Sequence, residues 1–155
     1  MITTPARIQR RRTKGWRLDR AADPFRGGVI VDRTSRYGNP FTITAAMDVL
    51  GLAEAEARRA VIAEFRPWLA GSRAFWTSDE ADQKRERILA SLHLLRGKDL
   101  ACPCPYGEPC HADELLRRAN TPPAELAAWV AVVRARVDRQ RIARGEKPMY
   151  AATSA

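Results

Sequence analysis

Residues 98–120 read KDLACPCPYGEPCHADELLRRAN and hold all three cysteines of the chain together with one of its two histidines. The first seven, KDLACPC, predict a short buried strand. A turn built on Pro-Tyr-Gly-Glu-Pro follows, and then a short helix from His111 to Asn120, with acidic residues near its start and basic residues at its end. The stretch therefore predicts a strand, a turn and a helix, a combination typical of α/β domains.

The cysteines and the histidine are expected to meet where this strand ends and the helix begins. Side chains repeat every second residue along a strand, so Cys102 and Cys104 face the same side. The turn then brings Cys110 and His111 to the helix start, and in α/β domains that edge of the sheet is the usual ligand crevice. Asp113, in the first helical turn, either orients His111 or offsets the helix dipole. Cys104, Cys110, His111 and Asp113 are therefore the candidate catalytic residues.

Three interpretations of this cluster remain open. Cys102, Cys104, Cys110 and His111 are ligand types that zinc prefers, although adjacent Cys110 and His111 must bend toward one ion and the spacing departs from common zinc knuckles. A thiol active site needs a thiolate beside a base, and a helix N-terminus lowers a cysteine pKa. The third interpretation is structural, because cysteine is among the most buried residue types.

A second stretch, DRTSRYGNPF at residues 32–41, directly follows another predicted buried strand, Val29 to Val31. Arginine and hydroxyl groups suit phosphate oxygens, and an aromatic ring can stack on a base. The candidate ligand-binding residues are Arg33, Ser35, Arg36, Tyr37 and Asn39. The alternative is a capped turn, since Ser, Gly, Asn and Pro dominate turns for conformational reasons.

The remaining pattern predicts a small sheet of short strands flanked by helices, an α/β fold. Further elements are expected as a strand within 7–13, a helix over about 45–70 interrupted at Pro67, a helix capped by Ser78 that runs to Gly97, and a long amphipathic helix to about 143. We expect an α/β domain over 1–120, a C-terminal helix over 121–145 and a flexible tail over 146–155. The helix is a candidate surface for a homodimer.

Composition points to a polyanionic partner and excludes a membrane protein. The formal net charge is +9 over 155 residues, and seven basic residues fall between positions 7 and 20. That segment either contacts phosphates or is an ordinary solvated edge of an arginine-rich protein. No apolar run approaches the ~20 residues needed to span a bilayer, and no secretory signal is present, so a cytoplasmic location is expected. Three clustered thiols also suit a reducing compartment.

The two motif stretches together resemble a phage and bacterial family catalogued as domain of unknown function number 4326. Its members typically read Gly-Arg-Pro-Ser-Lys-Trp-Gly-Asn-Pro-Phe and then Leu-x-Gly-Lys-x-Leu-x-Cys-Trp-Cys, ending in Pro-Cys-His-(Gly or Ala)-Asp. The resemblance covers roughly residues 7–120 and implicates these matching positions: Arg33, Ser35, Gly38, Asn39, Pro40, Phe41, Gly97, Lys98, Cys102, Cys104, Pro109, Cys110, His111 and Asp113. It implies that both stretches, and Lys98 with them, belong to one site, but it implies no particular reaction.

Two departures from the family pattern bear on that site. Tyr37 replaces a tryptophan and keeps an aromatic ring, whereas Pro103 replaces the tryptophan between the cysteines. Because proline lacks an N–H, the strand at Pro103 should be an edge strand or should already have ended.

The leading hypothesis is a protein that binds a phosphate-bearing ligand and modifies it at the Cys/His site. The ligand would be a nucleotide, a nucleoside derivative or a nucleic-acid end, and the phage setting of the family makes nucleotide or DNA modification the natural reaction class. The alternative is a nucleic-acid-binding accessory protein whose cluster holds a structural zinc ion. His93, in an apolar helix, is expected to be a packed or surface histidine and not a ligand.

Overall fold

A computed structural model describes residues 4–151 and contains a three-stranded parallel sheet. The strands are β1 (Arg7–Gln9), β2 (Gly28–Ile30) and β3 (Asp99–Cys102), in the order β1-β3-β2. β3 is buried throughout and pairs Ala101 with Ile8 on one side and with Ile30 on the other. The α/β fold class and the three expected strands are confirmed.

Six α-helices surround this sheet in the described part of the chain. They are α1 (Leu18–Ala21), α2 (Ile43–Leu50), α3 (Glu54–Leu69), α4 (Asp79–Ser91), α5 (His111–Ala119) and α6 (Pro123–Ala143), and a 3₁₀ turn over Leu92–Leu95 continues α4. Across residues 4–151, no helix combines the length and apolar character that crossing a bilayer requires. The cap predicted at Ser78 is confirmed, because its side chain accepts a hydrogen bond from the Ala81 amide.

The prediction of a single helix over about residues 45–70 is wrong in one respect, because the chain forms two helices there. Gly51 adopts a left-handed conformation with φ of 65° and ends α2. Glycine carries no Cβ and reaches this region without steric cost, so it is a natural helix stop. Pro67 lies inside the last turn of α3, which ends two residues later at Leu69.

Pro103 follows the last residue of the central strand. The sequence left two possibilities for Pro103, an edge strand or a strand that had already ended. β3 is the central strand and ends at Cys102, so the first possibility is wrong and the second is confirmed. A proline inside a central strand would remove a ladder hydrogen bond, and its placement one residue past the end avoids that loss.

The carboxyl ends of the three strands meet at one edge of the sheet, as parallel pairing requires. Beyond the paired residues, the Arg10 amide donates to the Cys102 carbonyl and the Val31 amide donates to the Ala101 carbonyl, each at 2.9 Å. The segment that leaves β2 and the loop that leaves β3 therefore start side by side, which brings residues 32–41 close to the cysteine loop.

The C-terminal helix packs on the core with one face, through Leu126, Val130, Val133 and Val137. After it, the backbone amides of residues 149–151 donate to the Asp138 carboxylate at 2.6–3.2 Å. Residues 152–155 of the expected flexible tail lie outside the described residues. The flexibility of the tail and a homodimer through α6 stay predictions.

Candidate metal and ligand site

The three cysteines and His111 come together at the carboxyl edge of the sheet. Cys102 is the last residue of β3, Cys110 is the N-cap of α5, and His111 is its first residue. The Cys102 sulfur lies 3.7 Å from the Cys104 sulfur and 4.0 Å from His111 Nδ1, and the Cys110 sulfur lies 3.8 Å from the same Nδ1. We call these four residues the Cys/His cluster.

The histidine ring is held in one orientation by a contact from the neighbouring strand. His111 Nε2 lies 2.7 Å from the Val31 carbonyl oxygen, so Nε2 carries the hydrogen and donates it. The edge of the ring also packs against Phe65, with ring centroids 5.2 Å apart. Burial lowers the pKa of His111 because the charged form loses its hydration. The unprotonated Nδ1 of a neutral imidazole therefore faces the sulfurs.

This arrangement could hold a metal ion. The ligand atoms of Cys102, Cys110 and His111 all lie within 4.8 Å of one another, and all three residues are buried. A tetrahedral site with Zn–S of about 2.3 Å and Zn–N of about 2.0–2.1 Å needs S···S separations of about 3.8 Å and S···N separations of about 3.6 Å. The distances of 4.0 and 3.8 Å from the Cys102 and Cys110 sulfurs to His111 Nδ1 are close to the S···N value. The 3.7 Å between the Cys102 and Cys104 sulfurs is close to the S···S value, but Cys104 lies outside this group of three. Metal-bound histidines usually donate a hydrogen bond from the ring nitrogen that does not bind the metal, and His111 Nε2 makes such a bond to the Val31 carbonyl.

Cys104 differs from the other two thiols because it is only partly buried. Hydrogen bonds from the thiols of Cys102 and Cys110 lower the pKa of Cys104 to about 2, and the positive charge of Arg7 acts in the same direction. The same hydrogen bond with Cys104 raises the pKa of Cys102 to about 11, and contacts with both neighbouring thiols raise the pKa of Cys110. Of the three thiols, the partly buried Cys104 is the one whose environment favours the thiolate form.

Asp113 contacts the backbone beside the cluster. The Val31 carbonyl, and not Asp113, orients the His111 ring. The Asp113 carboxylate accepts from the Cys110 amide at 3.2 Å and thereby closes a capping box at the start of α5. It also lies 3.4 Å from Nε of Arg7. Asp113 therefore fixes the helix end that carries Cys110 and His111.

Arg7 holds the loop between the cysteines. Its guanidinium donates to the carbonyls of Cys104 at 3.1 Å and Glu108 at 2.9 Å, and reaches the Pro105 carbonyl at 3.4 Å. The loop that places Cys104 is thus tied to β1. Arg10, in turn, pairs with Asp32, so two cations of the basic N-terminal segment are used inside the fold.

A cavity of about 260 Å³ adjoins the Cys/His cluster, and we call it the cluster cavity. Its cationic lining residues are Arg12, Arg33 and Arg58. The rest of the lining comprises Asp32, Thr34, Asn39, Ile43, Val61, Ile62, Cys102, Pro103, Cys104 and His111. Residues from the 32–41 stretch and from the cysteine loop thus line one cavity, which is the juxtaposition that the family resemblance implies.

The structure separates the predicted ligand-binding residues into groups. Arg33 is exposed and lines the cluster cavity, and Arg36 lines a neighbouring cavity. Asn39 also lines both cavities, but its amide donates to the Val61 carbonyl at 2.9 Å and its carbonyl accepts from the Phe41 amide. It therefore positions the loop against α3. Ser35 has a similar turn-forming role, because its hydroxyl donates to the Asp32 carbonyl at 2.8 Å.

Neither Tyr37 nor Lys98 is among the residues that line the cluster cavity. Tyr37 is buried in the core, and its hydroxyl donates to the Ser91 carbonyl at 3.0 Å, so its ring is not placed as a platform for a base. Lys98 precedes β3, at the amino end of the strand, and its ammonium donates to the Arg26 carbonyl at 2.8 Å. The two ends of β3 are about 10 Å apart, which separates Lys98 from the cluster.

Sequence reasoning missed the contributions of α3 and of Val31. Arg58, Val61 and Ile62 line the cluster cavity from one face of α3, and their spacing of three and four residues is a signal that could have grouped them. The Val31 carbonyl has no comparable signal, because a backbone atom carries no residue identity. The exposed His93 lies outside the Cys/His cluster, as expected.

Comparison with known protein families gives a match over most of the chain. The family model described as "Domain of unknown function (DUF4326)" matches residues 8–121, which include every residue of the Cys/His cluster and the entire 32–41 stretch. Neither a curated protein nor a solved structure matches the chain.

Proposed function

The chain belongs to the DUF4326 family, and from its own geometry we propose that it binds a phosphate-bearing ligand in the cluster cavity and modifies it at the Cys/His cluster. The ligand is a nucleotide, a nucleoside derivative or a nucleic-acid end. The observation that carries this proposal is the shared lining: cationic side chains and the half-buried thiol of Cys104 face the same cavity.

The composition of the cluster cavity suits such a ligand. Arg12, Arg33 and Arg58 present forked donors to phosphate oxygens. The single carboxylate in the lining, Asp32, is buried and accepts from Arg10 and Thr34. Burial opposes ionisation of Asp32, but the hydrogen bonds from Thr34 and Arg10 outweigh it and lower the pKa. Its charge is therefore largely offset before a phosphate arrives.

The apolar part of the lining supplies the second requirement. Ile43, Val61 and Ile62 form an aliphatic surface between α2 and α3 that can pack against a base or a sugar. A few polar groups that fix orientation on a mainly apolar wall are typical of small-ligand sites. Arginines, an aliphatic surface and a reactive group in one cavity together favour a nucleotide-like ligand.

The same proposal assigns zinc to the cluster, with Cys102, Cys110 and His111 as ligands. Bound zinc acts as a Lewis acid when three protein ligands leave a position open, and it is structural when four ligands close the site. Cys104 decides between these two cases, because it lies 3.7 Å from Cys102 and also lines the cavity.

A second candidate function, a nucleic-acid-binding accessory protein with structural zinc, is favoured by the burial of three cluster residues. Cys102, Cys110 and His111 are each at most 4% exposed. In that case Cys104 completes a closed site. The exposed cations of the N-terminal segment, such as Arg11, Arg12 and Lys14, would then contact phosphates.

Replacing Cys104 with serine separates the two candidates. Under the leading proposal, the C104S variant keeps about one zinc per chain, because the three remaining ligands suffice. Under the structural-zinc candidate, C104S loses zinc to a chelator as readily as C110S does, and unfolds on its removal. The measurement is zinc content by elemental analysis before and after dialysis against a chelator, with C110S as the reference for full loss.

The binding proposal predicts a loss of affinity when the two arginines specific to the cluster cavity are removed. The R12A/R58A double variant is expected to bind nucleoside monophosphates, or a 5′-phosphorylated single-stranded oligonucleotide, at least about tenfold more weakly, because each charge-assisted hydrogen bond contributes about 1.5–3 kcal/mol. Calorimetric titration of a panel of these probes measures the effect. Binding to the oligonucleotide should also weaken as salt increases.

A matched control is the R59A/R139A double variant, which removes two exposed arginines that line neither cavity. It has the same net charge as R12A/R58A and is expected to keep wild-type affinity. If both double variants lost affinity equally, the loss would be explained by the change in net charge alone. That result would contradict a binding site in the cluster cavity.

A further inference from the structure

A second cavity, of about 360 Å³, lies between the 33–42 segment and α4, and we call it the basic cavity. It shares Arg33 and Asn39 with the cluster cavity. Its full lining is Arg33, Ser35, Arg36, Gly38, Asn39, Pro40, Thr42, Trp68, Lys84, Arg87 and Ile88. The Cys/His cluster contributes none of these residues, so this cavity is a separate site.

The basic cavity carries four cationic side chains and no carboxylate. Arg33, Arg36 and Arg87 are exposed, and none of them has an ion-pair partner among residues 4–151. Lys84 lies 3.6 Å from the exposed carboxylate of Glu80 and 5.4 Å from the ring of Trp76, so it is only weakly neutralised. Like charges around one concavity create a positive potential that favours an anion.

One residue of the same lining, Trp68, also carries a donor without a partner among the described residues. Trp68 is 1% exposed, and its indole Nε1–H has no hydrogen-bond partner within the described chain. A buried donor without an acceptor costs about 1–3 kcal/mol, so such groups are rare in folded proteins.

We infer that the basic cavity binds phosphate oxyanions. Guanidinium and ammonium groups around one concavity, without a competing carboxylate in the lining, are the chemistry that recognises phosphate. Because Arg33 and Asn39 lie between the two cavities, a ligand that fills both carries at least two phosphate groups, as a nucleoside polyphosphate or an oligonucleotide does. This second step rests on the proposed function, whereas the oxyanion site itself does not.

The test uses inorganic pyrophosphate as the probe and the R36A/R87A double variant, which changes only residues of the basic cavity. Both side chains are exposed, so the fold should be kept. Calorimetric titration is expected to show saturable binding to the wild-type protein and a loss of at least about tenfold in R36A/R87A, from two charge-assisted contacts. The R59A/R139A variant, matched in charge, should bind pyrophosphate as the wild type does.

The outcomes separate this inference from the proposed function. If R12A/R58A weakens pyrophosphate binding and R36A/R87A does not, the anion sits in the cluster cavity and the inference is overturned while the proposed function stands. If R36A/R87A alone weakens pyrophosphate binding and the wild-type protein binds neither nucleoside monophosphates nor the 5′-phosphorylated oligonucleotide, the inference stands and the proposed function fails.

A second titration, with the 5′-phosphorylated oligonucleotide, identifies the source of the phosphate. Oligonucleotide binding that R36A/R87A weakens supports the basic cavity even if free pyrophosphate binds too weakly to saturate it. Absence of binding by both probes, or equal losses in R36A/R87A and R59A/R139A, overturns the inference.

Discussion

Under the proposed zinc assignment, replacing His111 with alanine should remove zinc from the protein; with or without zinc, it should lower the free energy of unfolding by about 3 kcal/mol or more. The substitution deletes the Nδ1 ligand that faces Cys102 and Cys110, at 4.0 and 3.8 Å. It also leaves the Val31 carbonyl without its hydrogen bond and opens a void beside Phe65. An unsatisfied buried acceptor costs about 1–3 kcal/mol, and truncation of a large buried side chain costs about 2–5 kcal/mol.

The other histidine provides the matched control, because His93 is exposed on the 3₁₀ turn after α4. H93A should keep the zinc content and should change the unfolding free energy by less than about 0.5 kcal/mol. Elemental analysis and urea unfolding, each with and without chelator, measure both quantities. If H111A retained one zinc per chain, His111 would not be a ligand and the metal assignment would be wrong.

Replacing Asp82 with alanine is expected to cost about 3–5 kcal/mol, the range for one partner removed from a buried charge network. Asp82 is fully buried and accepts from Arg85 at 2.8 Å and from Arg141 at 2.7 Å, and Arg73 lies 3.2 Å from its carboxylate. Without it, three guanidinium groups from separate parts of the chain remain close together in or near the core. Burial already lowers the pKa of Arg85, and hydrogen bonding to Asp82 opposes that change.

Asp79 is the control for this prediction, because its exposed carboxylate contacts the same Arg141 at 2.8 Å. Surface ion pairs contribute about 0–1 kcal/mol, so D79A should be mildly destabilising at most. Denaturant unfolding of both variants gives the comparison, and equal costs for D79A and D82A would contradict the importance of the buried carboxylate. The network also reaches the basic cavity, since Arg85 donates to the Trp68 carbonyl at 2.6 Å.

Local features of the site could be predicted from sequence because short-range chemistry sets them. The sequence predicted a strand end, a loop and a helix start in the right order for the four residues of the Cys/His cluster. The structure has Cys102 at the end of β3, Cys104 in the loop, and Cys110 and His111 at the start of α5. The break at Gly51 was missed. Glycine is tolerated inside a helical pattern, so its presence alone does not mark a helix end.

Contacts between distant parts of the chain could not be predicted in this way. Asp113 was expected either to orient His111 or to offset the helix dipole, and the orienting atom is the Val31 carbonyl, which is 80 residues away in sequence. Tyr37 was expected to face a ligand, but it is buried and donates to Ser91. Its side-chain direction depends on how residues 32–41 turn back after β2, which no pattern within that stretch specifies.

By itself, the sequence determined the α/β class, the strand–loop–helix unit that carries the cysteines, and the positive charge that points to an anionic ligand. These properties follow from side-chain periodicity, turn chemistry and composition, which act over a few residues. The tertiary structure alone decided that β3 is the central strand, that α3 closes the cluster cavity, and that Arg36 joins Lys84 and Arg87 in a second cavity. Those arrangements depend on which surfaces exclude water against one another, and that competition is settled by the packing of the whole chain.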